Sequence, residues 1–245
     1  MTFSGKRVLI TGGGSGAGAD LARGFVGAGA EVVISGRRAD ALRTVAEPLG
    51  ARWVRADVTD EASVAEMFRA AGPCDIVIAN AGAADSGVMS RTTLAQWNAM
   101  IAVNLTGVFL TFREALGQFR SEGRLIAVAS TAGLKGYAKV APYAAAKHGV
   151  VGLVRSLSLE VARKGITVNA ICPGFLDTPM TDHSAQVIAE KTGKSLAEAR
   201  ASLEGLSPQG RLYQPSEVTA AALYLASAAA SGVNGACLPI SGGEV

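Results

Sequence analysis

The chain has 245 residues, 30 of them glycine, with 5% aromatics and a formal net charge of +3. That length fits one large α/β domain, and so weak a charge gives no argument for nucleic acid. The apolar runs, such as Ala220–Ala230, fall short of the roughly 20 residues a membrane span needs, so no membrane partner is expected.

Met1–Lys6 leads straight into a strand, so no signal peptide is expected. Cys74, Cys172 and Cys237 are scattered without metal-ligand spacing, so no metal site is expected. They read as reduced, buried small residues of a cytoplasmic protein.

Arg7–Thr11 is a short apolar strand that enters Thr11-Gly-Gly-Gly-Ser-Gly-Ala-Gly18, and a helical pattern through Leu21, Phe25 and Val26 follows. Strand, glycine-rich turn and helix make a phosphate-binding arrangement. The glycines let the backbone approach a diphosphate, and the helix start supplies free N–H groups. The spacing of Gly12, Gly16 and Gly18 is G-x-x-x-G-x-G.

Glu31–Ser35 reads as the second strand and ends in Ser35-Gly36-Arg37-Arg38. An acid there would grip a ribose 2′-hydroxyl, whereas an arginine suits a 2′-phosphate. Arg37 can clamp a phosphate with help from Arg38, or both can be solvated loop residues.

Arg52–Ala56 is a third strand, closing on Asp57-Val58, and a helix through Val64 and Phe68 follows. Asp75–Ala79 is a fourth, running into Asn80-Ala81-Gly82. Asp57 and Asn80 lie just past strand ends, where open α/β sheets bind ligands, although either also suits a turn.

Leu94–Phe119 is a long helical stretch containing Asn104-Leu-Thr-Gly107. Gly123–Ser130 is strand five, Ala141–Arg163 a helix and Ile166–Ile171 strand six. The charged segment Thr181–Leu206 predicts one or two amphipathic helices divided at Gly193, a candidate substrate lid. Pro215–Ala229 is a last helix and Ala236–Ile240 a final strand. Strands alternating with helices imply a doubly wound parallel sheet in a single domain, 1–245.

Tyr143 and Lys147 stand four apart on their helix, hence on one face. Ser130 ends the preceding strand. Tyr-x-x-x-Lys alone is a common surface pair; beside Ser130 and the glycine turn it becomes a candidate acid/base site. An ammonium close to a phenol lowers the phenol's pKa. His148 lies on another side of that helix, His183 reads as a cap or solvent residue, and Trp53 and Trp97 read as packing.

Together, Thr11-Gly-x-x-x-Gly-x-Gly18, Asn80-Ala-Gly82, Asn104, Ser130, Tyr143-x-x-x-Lys147 and Pro173-Gly174 with Thr178 resemble the short-chain dehydrogenase/reductase family over essentially the whole chain. Ala17 and Ala79 depart from the family's usual wording without removing a reactive group. The resemblance implies a Rossmann-type sheet of about seven strands in the order 3-2-1-4-5-6-7, helices on both faces and a small helical lid.

It implies an NAD(P)-dependent oxidoreductase acting on a small-molecule carbonyl or secondary alcohol. Tyr143 would be the general acid or base. Lys147 would lower the Tyr143 pKa and bind the nicotinamide ribose. Ser130 would orient the carbonyl, and Asn104 would hold a water in a relay to Lys147. Gly12, Gly14, Ser15, Gly16, Ala17 and Gly18 would cradle the diphosphate. Asp57 and Val58 would meet adenine, and Asn80, Ala81 and Gly82 would border the cofactor. Pro173, Gly174, Leu176 and Thr178 would hold the nicotinamide end.

The wording around Tyr143 and Pro173 is most like β-ketoacyl-thioester and polyketide ketoreductases. NADP(H) is expected in preference to NAD(H), and a homotetramer formed through Leu94–Phe119 and Ala141–Arg163, with Leu238–Val245 near a second interface. An NAD-dependent alcohol dehydrogenase and a catalytically silent nucleotide sensor are the alternatives.

Overall fold

In the computed structural model, which describes residues 1–119 and 121–245, seven parallel strands form one sheet. They are β1 (Arg7–Thr11), β2 (Glu31–Gly36), β3 (Arg52–Arg55), β4 (Ile76–Ala79), β5 (Gly123–Val128), β6 (Ile166–Pro173) and β7 (Cys237–Ile240). Their order is 3-2-1-4-5-6-7, as expected, so the chain reverses direction across the sheet between β1 and β4. In such sheets the crevice beyond the strand ends at that point binds ligands.

A parallel sheet covered on both faces needs strands apolar on both faces. Within β1, Leu9 packs into one core while Val8 and Ile10 pack into the other. Every residue of β4 and β6 is buried.

On the Leu9 side lie α3 (Glu61–Ala71), α5 (Gly107–Gln118) and α6 (Ala141–Val161), contributing Phe68, Phe112 and Val154. On the other lie α1 (Gly16–Gly27), α2 (Ala39–Leu49) and α9 (Pro215–Ala226), contributing Phe25, Leu42 and Leu225. Each large apolar side chain so buried contributes roughly 1.5–3 kcal/mol of transfer free energy.

Several boundaries differ from the sequence reading. α2 has no counterpart among the expected elements: Pro48 in its last turn breaks the helical wording, although Leu42 and Ala46 keep the inward spacing. β5 stops at Val128, because Ser130 turns out of the sheet to cap a short 3₁₀ turn, Thr131–Gly133. β6 continues to Pro173, where its last pairings are with β7.

The long helix is α4 (Leu94–Ile101) and α5 joined by a π-helical segment, Ala102–Thr106. At 25 residues, Leu94–Gln118 is long and apolar enough to cross a membrane by length and composition, which corrects the expectation that no stretch is. Its inner face, Val108, Leu110, Phe112 and Ala115, belongs to the core of this sheet. Core helices share that length and composition.

The segment expected as a lid consists of α7 (Pro179–Thr192) and α8 (Leu196–Glu204), and its helices begin two residues earlier than expected. Gly193 divides the two in a left-handed C-cap, φ 73°. They clamp together through Ala185, Ala199 and Leu203.

Candidate active site

A cleft of about 580 Å³ opens over the strand ends between β1 and β4 and runs beneath α7 and α8. Its floor is the glycine turn. A Cβ on Gly18 would stand 2.2 Å from the Gly12 carbonyl oxygen, and one on Gly12 2.8 Å from Ala81 Cα. Only glycine permits this approach, so the turn lies flat against Asn80-Ala81-Gly82. Asn80 Nδ2 donates to the Thr11 carbonyl at 2.9 Å, while its N–H and that of Ala81 both reach Thr11 Oγ1 at 3.1 Å. These bonds pin the end of β4 to the end of β1.

Ser15 caps α1 with no side-chain hydrogen bond to the helix, and the first turn of α1 carries no acid. Free N–H groups, an unbonded hydroxyl and the positive end of the helix dipole suit a diphosphate.

Asp57 Oδ1 accepts from Thr59 N at 2.9 Å and Thr59 Oγ1 at 2.8 Å, which holds its carboxyl below the usual range. Val58 and Asp57 line the cleft, as do the exposed Arg37 and Arg38 at the end of β2. On the opposite wall, a Gly16 Cβ would be 3.4 Å from Thr178 Cγ2, so the segment Pro173, Gly174, Leu176, Thr178 closes over the turn. Thr178 caps α7 without spending its hydroxyl on the cap. Glycines at 12 and 18 that admit no Cβ, two rim cations and, among the described residues, unbonded hydroxyls on Ser15 and Thr178 fit an elongated dinucleotide.

Ser130, Tyr143 and Lys147 meet at the inner end of this cradle. Ser130 Oγ accepts from Ala132 N at 3.1 Å, leaving its own proton to give. Cys172, fully buried in β6 as expected of a small core residue, lies beside this group.

Lys147 is buried and donates from Nζ to the Val128 carbonyl at 2.9 Å; burial pulls its pKa down to about 8. Tyr143 moves the other way. Burial pushes its pKa above the ordinary phenol value, with the Ser130 hydroxyl opposing. This corrects the expectation that Lys147 lowers it. The ammonium is aimed at Val128 and stands 5.6 Å from the centre of the Tyr143 ring, and desolvation is the largest influence on the phenol.

Asn104 sits, fully buried, in the π segment, as a helix kink requires. Its Nδ2 donates to Ala83 O at 2.9 Å and Met100 O at 3.1 Å, and its Oδ1 accepts from Ala83 N at 3.3 Å. A Gly82 Cβ would lie 2.8 Å from Asn104 Oδ1 and 3.9 Å from Lys147 Nζ. Glycine there keeps open the space between the two side chains.

The α7–α8 segment reaches across the mouth. Lys191 Nζ donates to Ser86 O at 3.0 Å, and Arg200 forks to Asp177 at 2.5 Å and Asp182 at 2.7 Å. Met180, Val187, Ile188 and Leu206 give the cleft an apolar ceiling. Lys139, in the left-handed region at φ 66°, accepts the Gly87 N–H at 2.7 Å and so ties two cleft loops together. His183, exposed near the start of α7 as its reading as a solvent residue expects, borders the cleft, while His148 only faces Ala144 O. Trp53 packs under Arg43. Tyr137, Thr131 and Glu244 form a hydrogen-bonded group beside the site that the sequence reading missed. Among the described residues no acidic, His or Cys cluster could hold a metal ion.

A dinucleotide cradle ending in a buried Ser–Tyr–Lys group defines a nicotinamide-dependent oxidoreductase on a Rossmann-type sheet. The family model described as enoyl-(acyl carrier protein) reductase matches residues 12–244. D-beta-hydroxybutyrate dehydrogenase of Cupriavidus necator is 36% identical over 99% of this chain and 99% of its own. The 3-oxoacyl-[acyl-carrier-protein] reductase FabG of Salmonella typhimurium is 35% identical over 99% and 98%. A tryptophan variant of actinorhodin polyketide ketoreductase, solved with NADPH, superposes with a TM-score of 0.93 at 36% identity, covering 100% of this chain and 99% of that one. The chain belongs to the short-chain dehydrogenase/reductase family and is an NAD(P)-dependent oxidoreductase.

Proposed function

We propose that the chain reduces a ketone of apolar build, such as a β-ketoacyl thioester, with NADPH. The observation that carries this reading is the Tyr143 phenol, held protonated beside the Ser130 hydroxyl at the end of the cradle and under an apolar ceiling. Bound NADPH supplies the hydride.

Ser130 Oγ donates to the carbonyl oxygen and fixes its direction. Tyr143 delivers its proton to that oxygen as charge builds there, and a phenol of raised pKa is in the acid form at neutral pH. Lys147, close to its pKa of about 8, resupplies protons, and the space kept open by Gly82 connects it to Asn104. The lid excludes water.

Ketoacyl and polyketide ketoreductases among the relatives support the substrate class. The same residues run backwards would oxidise a secondary alcohol, and the hydroxybutyrate dehydrogenase relative favours that as the second reading.

NADPH is favoured over NADH because β2 ends without a carboxylate and beside Arg37 and Arg38. A charge-assisted contact contributes roughly 1.5–3 kcal/mol, about ten- to a hundredfold in affinity, with exposure favouring the lower end. Steady-state turnover of a ketone panel with each cofactor tests both parts. NADPH is expected to give the higher kcat/KM and Arg37→Ala to shrink the ratio. Preference for NADH, or a ratio unmoved by Arg37→Ala, would contradict the assignment.

A homotetramer is proposed as well. Leu94 is 73% exposed, Phe109 43% and Leu159 82%, an apolar set on the two helices through which relatives of this class are expected to pair.

A further inference from the structure

Tyr137 lies between the Thr131–Gly133 turn and α6, and its ring lines the cleft close to Tyr143. Its hydroxyl is taken up by two partners. It stands 2.5 Å from Glu244 Oε1 and 2.6 Å from Thr131 Oγ1. A carboxylate can only accept, so the single phenolic proton goes to Glu244 and the Thr131 hydroxyl donates to the phenol.

The Glu244 side chain is 3% exposed, though it is the next-to-last residue of the chain. Lys135 Nζ neutralises it at 3.1 Å and sits 5.0 Å from the centre of the Tyr137 ring. Glu244 Oε2 lies where a Gly174 Cβ would come within 3.2 Å, directly behind the segment that closes the cofactor cleft. A buried carboxylate costs several kcal/mol unless it is paired and hydrogen-bonded. The sheet ends at Ile240 and does not need it. What the buried carboxylate does hold is Tyr137.

Resting on the ketoreductase reading, we infer that Tyr137 is the specificity-determining wall of the carbonyl pocket and that Glu244, from the chain terminus, is its positioning residue. With its hydroxyl committed behind the wall, Tyr137 shows substrate only a fixed aromatic ring. The carbonyl substituent on that side is therefore apolar and slim or flat: an unbranched chain or a planar ring passes, and a branched group at the carbonyl meets the ring. Tyr137→Phe keeps the ring and frees it to turn. Tyr137→Ala removes it.

The test compares kcat/KM with NADPH for a straight-chain methyl ketone, acetophenone and pinacolone. The wild type is expected to favour the first two. Tyr137→Ala should shift the ratio toward pinacolone by about tenfold or more, the scale of a lost pocket contact. Glu244→Ala should move the ratio the same way, through KM more than kcat, and Glu244→Gln, which keeps an oxygen facing the phenol, should restore most of it.

Tyrosine labelled with ¹³C at Cζ reads the lock without turnover. The resonance absent from Tyr137→Phe should stay un-ionised past the ordinary phenol value of about 10 in the wild type, and ionise at lower pH in Glu244→Gln. Thermal unfolding and NADPH fluorescence of every variant separate misfolding from altered selectivity. Ketones reduced with an unchanged order of preference in Tyr137→Ala would overturn the inference and leave the ketoreductase reading standing. A wild type that binds NADPH and reduces no ketone would overturn the reading itself. A Tyr137 resonance ionising at the ordinary value in the wild type would overturn the lock.

Discussion

Lys147 carries the largest electrostatic cost in the site. Its ammonium is buried, its one described hydrogen bond is to the Val128 carbonyl, and its pKa falls to about 8. An unfolded lysine titrates near about 10.4, so the unfolded chain binds more protons between those values, and stability rises with pH across that window. Below about 8 both states are charged and the folded state bears the whole penalty; above about 10.4 neither is charged and the penalty is gone.

The wild type is therefore predicted to gain on Lys147→Met by about 2 kcal/mol between about pH 7.5 and about pH 9.5 in urea unfolding of cofactor-free protein. Parallel pH profiles would contradict the burial of that charge. Ser130, Tyr143 and Lys147 were legible because their spacing is local, within eighteen residues of sequence. Glu244 was not: its bond to Tyr137 spans 107 residues, and a lone acid near a terminus reads as solvated. The direction of the Tyr143 shift was also out of reach, since four-residue spacing places two side chains on one face without saying where each head group points.

Helix contacts follow the same division between local pattern and distant partner. In α1 a Cβ on Gly24 would meet Thr219 Cγ2 of α9 at 2.2 Å, whereas nothing lies within 4 Å of one on Gly27. Thr219 Oγ1 also donates to Asp20 Oδ2 at 2.6 Å, so the two helices are locked at this crossing. Gly24→Ala is expected to destabilise by roughly 1–3 kcal/mol through overpacking, and Gly27→Ala to be neutral or to add up to about 1 kcal/mol of helix propensity. Chemical denaturation checks both, and equal effects would contradict this packing.

Apolar runs made the inner strands legible, because a sheet covered on both faces admits little else there, whereas the edge strand β3 carries exposed arginines at both ends. The break in Leu94–Gln118 was marked by Asn104, but its π geometry is set by Ala83, on a loop whose position only the fold supplies. α2 escaped notice because Pro48 near its end looks like a breaker, although in the last turn it removes little.

At the scale of the molecule, strand alternation gave the parallel sheet, and family resemblance gave its order. What the sequence left undecoded is the substrate side, the loops around Gly87 and Lys139 and the lid helices, because their partners are brought together only by folding.

The exposed apolar helix faces predict an assembly of about four times the 24.8 kDa chain in light scattering at micromolar concentration, and a monomer there would contradict it.

The central claim is that the Tyr143 phenol moves the proton that accompanies hydride transfer. Tyr143→Phe removes one oxygen from a ring that stays packed, so NADPH binding by fluorescence titration should stay within about threefold. General acid catalysis contributes about 10²–10⁴ in rate, and ketone turnover should fall by that factor. Turnover close to wild type in Tyr143→Phe, with cofactor bound, would contradict the account.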